Sequence, residues 1–330
     1  MSTNKISRNL VEYDKITTRQ AFGDALLQFA EEHDNVFAIG ADTTKSMGFA
    51  PMEKKFPDRV LNNGIAEQNM ALIASGIASC GGKAFIGTYA PFASMRILEQ
   101  VRTFCAYPNL DVKVISGLGG LSASIEGVTH QGLEDVSVMR AIPNMVVVVA
   151  ADAASTVAIT KKISEYNGPV YLRIGRNAVP KVFDETYQFE IGKANIVKAE
   201  GSDVTVIFNG ATASRVFEAE KLLRELGYGV KLIEMPCVKP IDEEAIISAA
   251  RETGVVVTVE ENNIIGGLGG AVAEVLSEKL PTYLKRIGID DLYTESGTHE
   301  DLLDKYNLSS EHIKETILGV IKSKNKRKVG

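Results

Sequence analysis

The sequence predicts an α/β protein built as two consecutive three-layer α/β/α domains with mostly parallel sheets. Three observations predict it. Short apolar runs rich in valine and isoleucine alternate with stretches of helical apolar spacing along almost the whole chain, the pattern of strands covered by helices on both faces. The alternation lapses once, across residues 177–200, and then resumes. At 330 residues the chain has room for about two domains.

Residues 17–32 form the first expected helix, with Ala21, Ala25, Leu26 and Phe29 at helical spacing and Thr17 or Thr18 as its cap. Arg19 then lies near the helix start, as a solvated surface arginine or as part of an anion site. A short buried strand over 36–40 leads into Asp42, Thr43, Thr44, Lys45 and Ser46. The next apolar piece ends in Asn62, Asn63 and Gly64, a turn into a helix over 65–80. Glu67 falls in its first turn, where offsetting the helix dipole would by itself account for a carboxylate. A strand over 84–88 ends at Tyr89 and Phe92, and a helix over 92–106 carries Met95. A carboxylate beside two aromatic rings also suits a flat heteroaromatic ring whose nitrogen must be held protonated.

A strand over 111–116 opens a glycine-rich loop, 117–124, which misses the dinucleotide fingerprint and reads as a flexible loop entering a cleft. It ends in Glu126, Gly127, Val128, Thr129, His130, Gln131 and Gly132. A helix over 131–140, a valine-rich strand over 145–150, a helix over 151–166 with Asp152 near its start, and a strand through 168–176 complete the first domain. Residues 177–200 read as a linker with a short hairpin. The domains therefore fall at 1–182 and 201–330, joined by 183–200. In the second, strands over 204–208, 229–234 and 255–260 alternate with helices over 212–226 and 242–252. Gly266, Gly267, Gly269 and Gly270 then precede a helix to about residue 280. Such glycines pack a helix start tightly or cradle an anion. Residues 322–328 are a basic, solvated tail.

Composition narrows the function. The chain is 45% hydrophobic and 24% charged, ordinary for a soluble globular protein. A net charge of −6 argues against a general nucleic-acid binder. No apolar run has transmembrane length and residues 1–10 form no signal peptide, so we expect a cytoplasmic protein without a membrane or nucleic-acid partner. Cys80, Cys105 and Cys237 are far apart, fit no zinc spacing and read as reduced thiols. With only 4 histidines, no histidine-rich metal site is expected.

Gly64, Ile65, Ala66, Glu67 and Gln68, followed by Gly87, Thr88, Tyr89, Ala90, Pro91 and Phe92, resemble the pyrimidine-binding half of transketolase and of 1-deoxyxylulose-5-phosphate synthase. The resemblance implies that Glu67 bonds the ring nitrogen of the thiamine diphosphate aminopyrimidine and that Tyr89 and Phe92 stack on it. Met95 stands where the family often has a third ring, and Asp42 matches an aspartate near the cofactor. The physical logic agrees: the cofactor carries the carbanion chemistry, and a carboxylate on the ring nitrogen promotes the imino tautomer that acts as its internal base. Arg19, Ser46 and Arg176 match residues that bind the sugar phosphate, with Arg173 able to exchange roles with Arg176, and an ordinary strand-end salt bridge as the other reading of Arg176. The run from Glu126 to Gln131 is similar to a family signature in which the histidine matching His130 faces the reacting carbons of the sugar. Two departures bear on the donor: Glu126 replaces an aspartate that reads a donor hydroxyl, and Leu118 replaces a phosphate-binding histidine. Both put usual donors such as xylulose 5-phosphate in question.

The resemblance covers nearly the whole chain but about half of a full transketolase. The family's diphosphate-binding domain, with its Gly-Asp-Gly motif and metal-binding asparagine, has no counterpart here; Gly23 and Asp24 lie inside the first helix. The resemblance thus implies the C-terminal subunit of a split transketolase of carbohydrate metabolism. Mg2+ or Ca2+ would be bound through an N-terminal partner subunit in an α2β2 assembly, with no metal ligand on this chain. The alternatives are the beta subunit of a 2-oxo-acid dehydrogenase, or a non-catalytic scaffold that kept the fold.

Overall fold

The computed structural model describes residues 16–329. The expectation about residues 1–10 lies outside them, as do the side chains of the tail from residue 325 on. Strands β1 (Val36–Gly40), β2 (Val60–Asn62), β3 (Lys83–Tyr89), β4 (Val112–Gly117), β5 (Val146–Val149) and β6 (Val170–Arg173) belong to the first half. The second half contains β7 (Asn195–Lys198), β8 (Val204–Phe208), β9 (Val230–Glu234), β10 (Cys237–Lys239), β11 (Val255–Asn263) and β12 (Tyr283–Ile289). They form a 7-stranded sheet ordered β10-β5-β6-β4-β3-β1-β2 and a 5-stranded sheet ordered β12-β11-β8-β9-β7. All pairings are parallel except β10 with β5 and β7 with β9. The two α/β units with mostly parallel sheets are as the alternation of the sequence predicts.

Helices cover both faces: α1 (Thr18–Glu32), α2 (Ala50–Lys55), α3 (Glu67–Ser79), α4 (Leu98–Gln100), α5 (Asp135–Arg140) and α6 (Ala153–Glu165), then α7 (Ala213–Glu225), α8 (Glu243–Thr253), α9 (Leu268–Lys279), α10 (His299–Lys305) and α11 (Ser310–Val329). Every residue of β4 and β5 is buried, which is why β5 reads as an unbroken run of valine; in β4 the buried Lys113 is paired with Asp111. Thr17 caps α1, accepting from the Gln20 amide at 3.2 Å. None of the described helices is long and apolar enough to cross a membrane.

Four details depart from expectation. No hairpin forms in the linker: β7 crosses to the second sheet and pairs antiparallel with β9, because Ile196 and Val197 find apolar cover there rather than against a neighbouring strand. β10, only three residues long, leaves the second half and pairs with β5 of the first sheet. The helix expected from residue 131 starts at Asp135, because Gly132 bridges to Gly119 and the Gln131 side chain is held by the second domain. The glycine-rich loop is not a loose entrance. Gly120–Glu126 is a 3-10 turn, kinked at Ser124, and Leu121, Ser122, Ala123 and Ser124 are buried.

Candidate functional site

Parallel strands point one way, so the loops after their carboxyl ends gather along one edge of the sheet, the usual place for a ligand in such folds. Here the strand ends and loops carry Asp42 and Ser46 after β1, Glu67 after β2, Tyr89 as the last residue of β3 and Phe92 after it, Glu126 and His130 after β4, and Arg176 after β6. The first turn of α1 joins them because helix and loop touch backbone to backbone. A Cβ on Gly23 would strike the Gly48 carbonyl, and one on Gly48 would lie 2.6 Å from the Arg19 oxygen. With both glycines in place, Arg19 Nη1 donates to the Ser46 carbonyl at 3.3 Å.

Glu67 is the first residue of α3 and its side chain is only 5% exposed. A buried carboxylate needs a partner, and Arg96 supplies one, with Nη1 donating to Glu67 Oε1 at 2.7 Å. Arg96 reaches it because residues Phe92–Arg96 run as a wide π-helical turn; its guanidinium lies 3.9 Å from the centre of the Phe92 ring. The Tyr89 and Phe92 rings are 6.0 Å apart, and the His130 ring sits 5.5 Å from the first and 5.4 Å from the second. Thr129 Oγ1 lies 2.9 Å from His130 Nδ1. The Tyr89 hydroxyl donates to Ser46 Oγ at 3.4 Å, which links the ring cluster to Arg19.

Arg176 closes the other side. Thr18 Oγ1 donates to the Gly175 carbonyl and accepts from the Gly175 amide, both at 3.1 Å, so Arg19 and Arg176 each follow a residue of one bonded pair. Arg176 Nη1 lies 2.6 Å from Glu126 Oε1. Arg173 does not exchange roles with it: its guanidinium is buried and donates to the backbone oxygens of Glu261 at 2.7 Å and Gly132 at 3.1 Å. Asp42 is exposed, with a left-handed φ of 60°. Met95 is 45% exposed beside Arg96. Neither is joined to the ring cluster by a hydrogen bond or ring contact among the described residues.

The sequence reading missed Arg96, Ser122 and Asn177. Ser122 accepts from the Arg176 amide at 3.3 Å, and Asn177 donates to Ser124 at 3.0 Å. The four-residue spacing of Phe92 and Arg96 was the one available signal. The glycine run before α9 packs a helix start against a side chain of this chain. Its helix start is occupied by Glu260, whose carboxylate accepts from the Leu268 and Gly269 amides at 2.7 Å each. A Cβ on Gly267 would collide with that carboxylate.

Residues 14–181 match the family described as transketolase, pyrimidine binding domain, and residues 192–313 match transketolase, C-terminal domain. The chain is 37% identical over 308 residues to one subunit of an apulose-4-phosphate transketolase of Phocaeicola vulgatus, covering 93% of this chain and 98% of that one. It is 35% identical over 317 residues to a 6-deoxy-6-sulfo-D-fructose transketolase subunit of a Clostridium species, covering 96% and 98%. A solved structure described as a split gene transketolase, inactive beta4 tetramer, superposes with a TM-score of 0.87 at 41% identity, covering 93% of this chain and 99% of that one. Fold, pyrimidine-binding domain and full-length matches to separate subunits agree, and the chain belongs to the transketolase family as the C-terminal subunit of a split, ketol-transferring enzyme.

Proposed function

We propose that this subunit forms one wall of a thiamine diphosphate site and takes part in moving a two-carbon ketol unit from an anionic ketose to an aldose. The observation that carries the reading is the buried Glu67 carboxylate set into one chain of contacts with Phe92, Tyr89, His130, Ser46 and Arg19. These residues fit an aminopyrimidine. An ionised carboxylate keeps acceptor capacity beyond its bond from Arg96, and the two rings offer apolar faces beside it. When bound, the cofactor supplies the carbanion stabilisation the transfer requires. Glu67 holds the ring nitrogen through a charge-assisted hydrogen bond that gains strength where water is excluded. Tyr89 and Phe92 would hold the ring by their faces, and Met95 and Asp42 would complete the cofactor-binding set.

His130 exchanges protons with the sugar hydroxyls, a task that suits imidazole near neutral pH. Arg19, Ser46 and Arg176 take the anionic tail, and Glu126 reads a hydroxyl. The Glu126–Arg176 pair couples these two readings, since an anion drawing on Arg176 frees Glu126 to turn to the sugar. Guanidinium groups bind phosphate and sulfonate alike, and the two relatives act on one substrate of each kind.

The diphosphate and its Mg2+ or Ca2+ fall to an N-terminal partner subunit in a cytoplasmic α2β2 assembly. Among the described residues no group of three or more His, Cys, Asp or Glu could hold a metal ion, and the inactive β4 state of the solved relative fits a subunit that needs its partner. The test is reconstitution with a diphosphate-binding subunit, thiamine diphosphate and magnesium, offered ketose phosphates, sulfonated ketoses and pyruvate. Ketol transfer in the mixture, and none by the lone chain, is expected. Oxo-acid decarboxylation without any ketol transfer would reject the reading.

A further inference from the structure

The segment from Leu118 to Gln131 carries Glu126 and His130, and its backbone is strained. Leu118 has φ 57° and Ser124 φ 56° with ψ −113°, left-handed values for residues with side chains. Such conformations cost on the order of 1–3 kcal/mol each and persist only where the surroundings impose them. Beside the bonds from Arg173, Arg176 and Asn177, the second domain supplies a large part of those surroundings. At the near end, Glu261 Oε1 accepts from the Leu121 amide at 2.6 Å and lies 2.9 Å from His299 Nε2. Arg173 binds the Glu261 and Gly132 carbonyls, and the Gly120 amide donates to the Gly132 oxygen at 2.9 Å. At the far end, Gln131 Nε2 donates to the Glu295 carbonyl at 2.9 Å, and the Thr294 hydroxyl donates to Gln131 Oε1. The fit is close along the whole segment. A Cβ on Gly120 would lie 2.6 Å from Glu261 Oε1, and one on Gly127 would lie 2.6 Å from Ser296 Oγ.

Glu261 and His299 are both buried, behind Gly119 and Ser122 of the segment. A buried ion pair adds little stability over an apolar pair of the same volume; what it adds is direction. We propose that the second domain positions the sugar-facing segment of the first, with Glu261, oriented by His299, as the positioning residue at one end and Thr294 fastening the other. The proposal rests on the assignment of Glu126 and His130 to the sugar. It gives the C-terminal domain a part in ketol transfer through the first domain rather than by contact with substrate.

The test compares Glu261→Met, Glu261→Gln and Thr294→Val. Glu261→Gln keeps an acceptor for the Leu121 amide while removing the charge facing His299. Hydrogen exchange of the full chain reads the clamp directly: residues 118–131 should exchange about 10-fold faster in Glu261→Met, with β3 and α3 unchanged and Glu261→Gln in between. In the complex with the partner subunit, kcat/KM for the ketose donor should fall about 10- to 100-fold in Glu261→Met. Affinity for thiamine diphosphate, titrated by fluorescence quenching, should stay within about twofold, because Glu67, Tyr89 and Phe92 lie outside the clamped segment. Thr294→Val should show the same split more weakly, and it carries the test if Glu261→Met does not fold. Unchanged exchange in the folded variants, or faster exchange with unchanged donor kinetics, overturns the proposal. A wild-type complex that transfers no ketol removes the functional reading instead, and the exchange measurement still decides whether the clamp exists.

Discussion

Glu67 and Arg96 set the tone of the site: a buried carboxylate is held by a guanidinium that also lies on a ring of the same pocket. Replacing the acid by its amide keeps the shape and removes the charge-assisted bond. Glu67→Gln is expected to lower kcat of the reconstituted enzyme by about 100-fold or more with an unchanged melting profile by circular dichroism; near-normal turnover would remove the assigned role. The Glu126–Arg176 pair makes a second expectation. Glu126→Gln releases Arg176, so KM for a phosphorylated donor should fall by about threefold, the modest scale of a half-exposed ion pair, and steady-state kinetics against ionic strength would check it. The places of Glu67 at a helix start and of Tyr89 and Phe92 at a strand end were legible in local sequence, whereas His130, in a turn, stood out only through the resemblance of its segment to a family signature. Arg96 was not, since its reach depends on a π-helical turn that no apolar period encodes. The pairing of Glu126 with Arg176 joins the ends of different strands, so local pattern could not contain it.

At the level of elements, boundaries marked by caps and alternation were readable, while pairings decided by distant partners were not. Strands β1 and β8 coincide with the expected ranges because each is a short apolar run bounded by polar or glycine residues. β7 and β10 are too short to show alternation, and their partners are set by the meeting of the two domains. The glycine-rich loop read as loose because glycine is permissive; its glycines instead let Arg173 and Glu261 approach its backbone. Asp152 shows how much one cap can hold. Its Oδ1 accepts from the Ser155 amide at 2.9 Å to begin α6, and its Oδ2 accepts from the amides of Val182 at 2.9 Å and Phe183 at 2.8 Å. Asp152→Ala is therefore expected to cost about 3–5 kcal/mol, a lost cap plus two stranded buried donors, seen as a lower urea midpoint. A change near the ~1 kcal/mol of a simple cap would mean that the connection after β6 finds other acceptors.

For the whole molecule, two buried clusters give stability a pH dependence. Burial pushes the Glu234 carboxyl up to about 8, against the bonds it accepts from Asn195 and Tyr187. A folded-state value raised above the unfolded one means that the folded chain holds more protons, so stability is full below the ordinary 4.5 and is lost as pH climbs through about 8. Glu234→Gln should abolish that alkaline loss, on the order of a few kcal/mol, in melts taken from acid to alkaline pH. Burial and the nearby Arg215 work to lower His299, but Glu261 and Glu300 outweigh them and raise it above its ordinary 6.5. Burial likewise works to raise Glu261, but His299, Arg173 and the Leu121 amide together bring it below 4.5. Its share is present above 4.5 and fades in acid, while the histidine's share is present below 6.5 and fades as pH rises through its raised value.

Strand β10 carries a consequence for how such a protein can be cut or recombined. The first sheet takes its last strand from a stretch of chain that lies beyond most of the second sheet in sequence, and that strand covers the flank of β5, four consecutive valines. A fragment severed in the connection would bare this flank, and naked valine edges recruit copies of themselves. The lobes are thus not interchangeable parts. A chimera that borrows the first lobe has to borrow Cys237, Val238 and Lys239 with it, or come out of the cell as aggregate.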